Sequence, residues 1–172
     1  FHHLHSGFAE IEVILNRTTD NSIELIEEIS KFYPNIKWSR SDFVDWVPGS
    51  AHTKMQQLAY ALAYQNLIDN NIDGITHVMY LDIDEYWVHQ DLSTCINMFV
   101  DTFPKDVGLS FSWLNDVPSV KPFENIANTI SGTESRLVKS LFPLNAGLRV
   151  VRAHQPLLKN HKFIKSLLFV YT

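Results

Sequence analysis

Three carboxylates stand close together near the middle of the chain, at Asp82, Asp84 and Glu85. They follow the apolar run 78–81, which reads as a buried strand because β-branched and aromatic residues favour strands. In an extended chain, Asp82 and Asp84 point to the same side and lie roughly 7 Å apart. Like charges at that distance repel each other, and a cation between them relieves the repulsion. Mg²⁺ and Mn²⁺ take carboxylate oxygens, so the spacing favours a divalent metal site.

The same spacing has a structural alternative, because aspartate often ends a strand and begins a turn. D-x-D is a short pattern, and both explanations fit it. The apolar strand before Asp82 and the Glu85-Tyr86-Trp87 sequence after it favour the metal site over a plain turn.

Composition places the protein among globular domains. Hydrophobic residues make up 45% of the 172 residues and charged residues 19%, which excludes the disordered and fibrous classes. This length predicts a single domain, residues 1–172, with a sizeable core. A net charge of −5 without a block of lysine or arginine argues against a nucleic-acid partner. The one cysteine, Cys95, excludes an internal disulfide framework.

The sequence says little about where the protein resides. It contains no signal peptide and no apolar run long enough to span a bilayer, so membrane association is not visible in it. It begins at Phe1 without methionine and reads at once as the end of a helix, which predicts a chain truncated at its amino terminus. The compartment stays unknown, with a cytoplasmic location expected for a bacterial-type protein.

Hydrophobic patterning predicts alternating strands and helices in the first two-thirds of the chain and mostly strands afterwards. Strands are predicted over 10–16, 36–39, 78–81, 107–113, 137–140 and 148–152, and helices over 23–33, 53–69 and 91–103. Such an order predicts an α/β fold with a largely parallel sheet and mixed carboxyl-terminal strands. The polar segment 118–134 is expected to form a loop over a site.

Polar residues follow the first predicted strand. In open α/β sheets, ligands bind beyond the carboxyl ends of strands, so Asn16 is placed to hydrogen-bond a nucleotide base or ribose. Asp20 and Ser22 have a plainer role available, since either can cap the helix that follows.

Several motifs occur in a recognisable order along residues 1–156. They are His2-His3 before Gly7-Phe8, Asn16 before Thr18-Thr19-Asp20-Asn21-Ser22, Gln56 before Ala59-Tyr60, Leu81-Asp82-Ile83-Asp84-Glu85-Tyr86-Trp87, Ser112-Trp113, Arg136 before Lys139-Ser140, and Arg152 before His154. In this order they resemble glycosyltransferases of the GT-A fold, a Rossmann-like fold, and most of all the family 2-like and family 92 branch. The acidic motif is the specific part of this resemblance, and the late motifs are weaker.

The resemblance implies a hexosyltransferase-class enzyme with a nucleotide-diphosphate sugar as donor. A divalent metal, commonly Mn²⁺ and otherwise Mg²⁺, would bridge the diphosphate to the acidic motif. By position, Asp84 would bind the metal directly, and Asp82 would contact the ribose or the metal through water. His154 matches a late histidine that completes the metal site or touches the diphosphate, although an ordinary surface histidine explains it equally well.

The resemblance also implies residues for the nucleotide. Asn16 would lie near the base, with Asp20 supporting its loop, and Lys139 would face phosphate unless it is a solvated lysine. The family's first strand, with its Asn-Glu motif, precedes the helix that ends at Gly7 and is missing from this sequence. Because that strand forms part of the base pocket, a truncated chain or a weakened donor affinity is expected.

Sugar transfer with inversion requires a base near the acceptor hydroxyl, which belongs to a glycan or another hydroxyl compound. Asp116, after the strand 107–113, and Glu85 are the candidates. Asp116 has an alternative role as the start of an Asn-Asp-Val-Pro turn.

Two other functions fit the acidic motif. One is a phosphohydrolase or phosphotransferase with Asp82 as the nucleophile, since D-x-D at a strand end also serves that chemistry. Such enzymes usually carry their aspartates after the first strand and need a downstream lysine and acidic pair, whereas here the motif follows two earlier βα segments. The other is a non-catalytic sugar-binding domain, for which the missing first strand argues.

Overall fold

The structure is a computed structural model. It describes residues 1–46, 49, 51–70, 74–115, 133–159 and 162–171, and the side chains of all of these except 51–53, 115 and 166–171. Within these segments the chain forms four α-helices and nine strands. In chain order they are α1 (His2–His5), β1 (Ile11–Leu15), α2 (Ser22–Phe32), β2 (Ile36–Arg40), a 3₁₀ helix (Asp42–Trp46), α3 (Ala51–Asn70), β3 (His77–Met79), β4 (Tyr86–Val88), α4 (Ile96–Val100), β5 (Gly108–Asn115), β6 (Thr133–Pro143), β7 (Leu148–Val150), β8 (Leu157–Leu158) and β9 (Phe163–Tyr171).

The first part of the chain forms a β-α-β unit. Strands β1 and β2 pair in parallel, with Ile11 opposite Ile36, and α2 connects them. This unit agrees with the elements expected from the sequence, and the prediction of a mixed α/β fold is confirmed.

The largest sheet differs from the expected parallel one. Its strand order is β3-β6-β5-β9-β4, and only the β5–β9 pair is parallel. The other three pairs, β3–β6, β5–β6 and β4–β9, are antiparallel. The reason is that β6 and β9 insert between the earlier strands instead of extending the sheet at one end. Apart from the parallel β1–β2 pair, the described sheets are therefore mixed or antiparallel.

Two predicted elements also have different bounds. The predicted strand 78–81 is the shorter β3, and the predicted helix 91–103 is the single turn of α4 with the loop before it. The backbone amides of Ser93 and Thr94 donate to the Asp91 carboxylate at 2.9 and 2.8 Å. These bonds hold the chain in a turn, so the helix begins only at Ile96.

The five-stranded sheet carries apolar side chains on both faces. Leu141 and Phe142 are consecutive on β6, and successive strand residues point to opposite faces. Leu141 packs with Trp87, Ile96, Leu109 and Phe111 in one cluster. On the other face the residues that pack with Phe142 are Tyr80, Ala146, Leu158, Tyr60 and Tyr64.

Helix α3 lies against the second face and therefore next to the end of β3. The rings of Tyr60 and Tyr80 stack with centroids 4.3 Å apart, and the Tyr64 hydroxyl donates to the carbonyl oxygen of Leu144 at 2.6 Å. Within the described segments, no helix has both the length and the apolar character needed to cross a membrane.

Candidate functional site

The residues 82–85, which we call the acidic turn, connect β3 to β4. The amide of Glu85 donates to the carbonyl oxygen of Asp82 at 3.0 Å and closes the turn. Ile83 is 90% exposed at its tip, Asp84 is exposed, and Glu85 points inward. The turn thus presents one acidic side chain to solvent and sends another into the core.

Two elements hold the Asp82 carboxylate. Gln56 on α3 donates from Nε2 to Oδ1 at 2.8 Å, and Lys139 on β6 donates from Nζ to Oδ2 at 3.1 Å. The Asp82 side chain remains 37% exposed. Its orientation is therefore fixed by α3 and β6 while part of it still faces solvent.

Lys139 and Glu85 form a buried ion pair beneath the acidic turn. Lys139 Nζ lies 2.8 Å from Glu85 Oε2, and both side chains are fully buried. Glu85 Oε2 also accepts the backbone amide of Asp82 at 2.7 Å. A buried charge needs such partners, because desolvation without them is very costly. With Lys139 counted against the three carboxylates, two formal negative charges remain.

Asp84 differs from both neighbouring acids. It makes no hydrogen bond or ion pair with any residue within the part of the chain that the structure describes. As far as the described residues go, its carboxylate oxygens face solvent and are open to a ligand.

Asn16 and Asp20 lie in the loop after β1. Asn16 Nδ2 donates to the carbonyl oxygen of Ser41 at 3.4 Å. Asp20 accepts the hydroxyl and the amide of Ser22 at 2.6 and 3.0 Å, and these bonds lower the pKa of its carboxyl group. Asn16 thus connects the loops at the carboxyl ends of β1 and β2, whereas Asp20 holds the start of α2, and no described hydrogen bond connects either residue to the acidic turn.

His154 lies between β7 and β8, with its ring centroid 5.8 Å from that of Trp113. Its buried Nδ1 has no hydrogen-bond partner among the described residues. No three histidine, cysteine, aspartate or glutamate side chains in the described segments form a group that could hold a metal ion. His154 therefore does not join Asp82 and Asp84 in such a group. Asp116 and most of the loop 118–134 lie outside the described residues.

Helix α1 packs on the strand that follows the acidic turn. His2 Nε2 donates to the carbonyl oxygen of Trp87 at 2.7 Å, and the ring of His3 stacks on Tyr86 with centroids 6.0 Å apart. Burial, with the nearby His2, lowers the pKa of His3 to about 4, although a bond to the Glu85 backbone opposes the shift. His3 is therefore neutral at pH 7.

A cavity of about 270 Å³ lies between α1, β4 and the segment before α4. It is lined by His2, His5, Trp87, His89, Leu92 and Cys95, among others, and by no residue of the acidic turn. It is thus distinct from the place where Asp84 faces solvent.

Two contacts of the site were missed by sequence reasoning. Gln56 reads as part of a capping box with Thr53, yet it binds Asp82. Lys139 reads as a phosphate-facing or solvated lysine, yet it is buried. A lysine beside the apolar run Leu141-Phe142 was the available signal, because a lysine in a central strand requires a buried acidic partner.

No protein family and no curated protein sequence matches this chain. A functional assignment consequently depends on the residues of the site.

Proposed function

We propose that the protein is a metal-dependent glycosyltransferase of the GT-A fold. It would transfer a sugar from a nucleotide-diphosphate donor to a hydroxyl group of a glycan or another acceptor, with residues 1–172 as one domain. The observation that carries this proposal is the acidic turn, which fixes Asp82 and, among the described residues, leaves Asp84 unpaired in solvent.

The donor set fits a hard divalent ion in its chemistry. Asp84 would supply carboxylate oxygens to the ion directly and Asp82 through water, Mn²⁺ and Mg²⁺ prefer such oxygens, and the turn keeps two uncompensated negative charges. The described residues hold no group of three such ligands, so diphosphate oxygens and water would fill the remaining positions. When bound, the ion stabilises the negative charge that develops on the leaving diphosphate.

The protein residues then have separate tasks. Asp84 binds from the exposed side of the turn, while Gln56 and Lys139 orient Asp82. Asp116, which lies outside the described residues, remains the candidate base. The enclosure of Glu85 with Lys139 favours a positioning role for Glu85 over that of a base.

The donor's nucleotide is proposed to lie near the carboxyl end of β1. The side-chain nitrogen of Asn16 donates to Ser41, and its side-chain oxygen, which has no hydrogen bond to a described residue, would accept one from a base. Asp20 would keep that loop in place through Ser22. The parallel β1-α2-β2 unit supports this arrangement, because ligands bind at such strand ends in α/β sheets.

Titration with Mn²⁺ and uridine diphosphate tests the proposal. Wild-type protein should bind the two together more tightly than either alone, and Asp84→Asn should lose at least about tenfold in the joint affinity. Asp101→Asn is the matched control, because Asp101 is an exposed aspartate after α4. Equal binding by wild type and Asp84→Asn would contradict the proposal.

A second function is favoured by one contact, Lys139 Nζ on Asp82 Oδ2. Phosphohydrolases that use an aspartate nucleophile need a lysine, so Asp82 could instead accept a phosphoryl group. Beryllium fluoride, which mimics an aspartyl-phosphate, provides the test. Retention of beryllium by wild type but not by Asp82→Asn would favour phosphoryl transfer, and no retention by either would exclude it.

A further inference from the structure

We propose that Lys139 is a positioning residue of the acidic turn. Its buried ammonium group engages and orients Asp82, so that Asp84 alone is free to bind a divalent ion directly. This inference rests on the proposed function, since it assigns separate tasks to the two aspartates of the same site.

The geometry separates the two oxygens of Asp82. Oδ1 accepts from Gln56 on α3, and Oδ2 accepts from Lys139 on β6. Each oxygen is therefore restrained by a different element of the fold. Asp84, two residues later, has no comparable restraint among the described residues.

If the Lys139–Glu85 ion pair were purely structural, it would not need the contact with Asp82. Lys139 and Glu85 are both fully buried and lie 2.8 Å apart, so each already has its counter-ion. The additional contact joins the pair to Asp82, whose side chain is 37% exposed. Through Lys139, the buried interior thus helps to fix the orientation of a carboxylate at the surface.

The ammonium group also lies where it weakens the binding of a bare metal ion. A positive charge 3.1 Å from Asp82 Oδ2 competes with any other cation for that oxygen and repels it. Removal of Lys139 should release Asp82 as a second direct ligand. The protein should then bind Mn²⁺ more tightly but hold Asp82 less firmly.

The test compares Glu85→Gln with the double variant Glu85→Gln/Lys139→Met. The Glu85→Gln background avoids an unpaired buried carboxylate when Lys139 is removed, and the two proteins differ only at Lys139. The Kd for Mn²⁺ alone, measured by electron paramagnetic resonance, should be about tenfold tighter in the double variant. An unchanged or weaker Kd would overturn the proposal.

The same comparison in an Asp82→Asn background shows whether the contact itself matters. If Lys139 acts through Asp82, its removal should change the Kd for Mn²⁺ by less than about twofold there. If removal of Lys139 changes the Kd for Mn²⁺ as much in the Asp82→Asn background as it does with Asp82 present, Lys139 acts only through its charge, and the positioning role is overturned. Lys105→Met, which removes an exposed lysine after α4, should leave the Kd unchanged.

Failure of the proposed function would be seen separately. If wild-type protein binds neither Mn²⁺ alone nor Mn²⁺ with uridine diphosphate, the metal-dependent function is wrong. Urea unfolding in the Glu85→Gln background then tests whether Lys139 and Asp82 are energetically coupled. Removal of Lys139 should reduce the folding equilibrium constant at least about fivefold more when Asp82 is present than when the Asp82→Asn substitution is also made. Additive effects would overturn the inference.

Discussion

Lys139 and Glu85 form an ion pair of 2.8 Å in which neither side chain reaches solvent. Lys139 lies on β6 and Glu85 ends the acidic turn, so the pair fixes the turn to an interior strand of the largest sheet. Because Asp82 shares the same ammonium group, the stability of this pair and the geometry of the candidate site are coupled.

Loss of Lys139 alone should destabilise the protein strongly. Lys139→Met leaves Glu85 buried without its counter-ion, and breaking a buried pair in this way costs about 3–5 kcal/mol. Urea unfolding should show this loss, and Glu85→Gln/Lys139→Met should recover most of it. Equal stabilities for the single and double variants would contradict the account.

Truncation of Phe142 should destabilise the protein, because it would leave a cavity under α3. Phe142 is fully buried against Tyr64 and Tyr80, so Phe142→Ala should reduce the free energy of unfolding by about 3–5 kcal/mol. The control is Phe32, which is 76% exposed at the end of α2. Phe32→Ala should change the free energy of unfolding by less than about 0.5 kcal/mol. Similar losses in both variants, by chemical denaturation, would contradict the packing described.

Gly7 should resist substitution for two reasons, a φ of +90° and a close neighbour. An added Cβ would lie 2.9 Å from Cys95 Cβ. Gly74 has a similar φ of +88° but no described atom within 4 Å of such a Cβ. Gly74→Ala therefore measures backbone strain, about 1–2 kcal/mol, and Gly7→Ala should cost about 1 kcal/mol more. Thermal unfolding measures which variant loses more stability. A smaller loss for Gly7→Ala than for Gly74→Ala would contradict the steric contact with Cys95.

Stability should fall in mild acid because of His3. The folded protein holds the pKa of His3 at about 4, below the unfolded value of 6.5, so the unfolded state takes up a proton first. This contribution is complete above pH 6.5 and is lost as the pH falls from 6.5 towards 4. His3→Gln should show a shallower loss of unfolding free energy over this range.

The control for His3 is His5, an exposed histidine on the same helix. His5→Gln should retain the wild-type slope of unfolding free energy against pH over the range in which His3 titrates. Carboxylates contribute to that slope in every variant, so the informative quantity is the difference between variants. Identical slopes for His3→Gln and His5→Gln would contradict the assignment to His3.

The sequence predicts local structure better than strand order. The β1-α2-β2 unit was predictable because its apolar periodicity and its loops are contained within 30 consecutive residues, from Ile11 to Arg40. The insertion of β6 and β9 into the middle of the sheet depends on contacts between distant segments, and no local pattern encodes these. The expected parallel sheet was wrong for this reason.

The candidate site likewise has features that the sequence predicts and features that it does not. The acidic turn was visible from residue spacing, and its position after a strand follows from the apolar run before it. The partners of Asp82 were not visible, because Gln56 and Lys139 come from a helix and a strand that only the folded chain brings together. The roles of Asn16, Asp20 and His154 in ligand binding stay predictions.

The distance along the chain between Lys139 and Asp82, 57 positions, has a consequence for biosynthesis. A ribosome releases the acidic turn well before it releases the lysine that neutralises it, and β9 follows later still. Until Lys139 has emerged, Glu85 lacks its buried counter-ion and must stay hydrated. The acidic turn therefore cannot pack against the sheet before β6 is in place. The nascent protein therefore gains its finished site only after β6, which carries Lys139, has emerged.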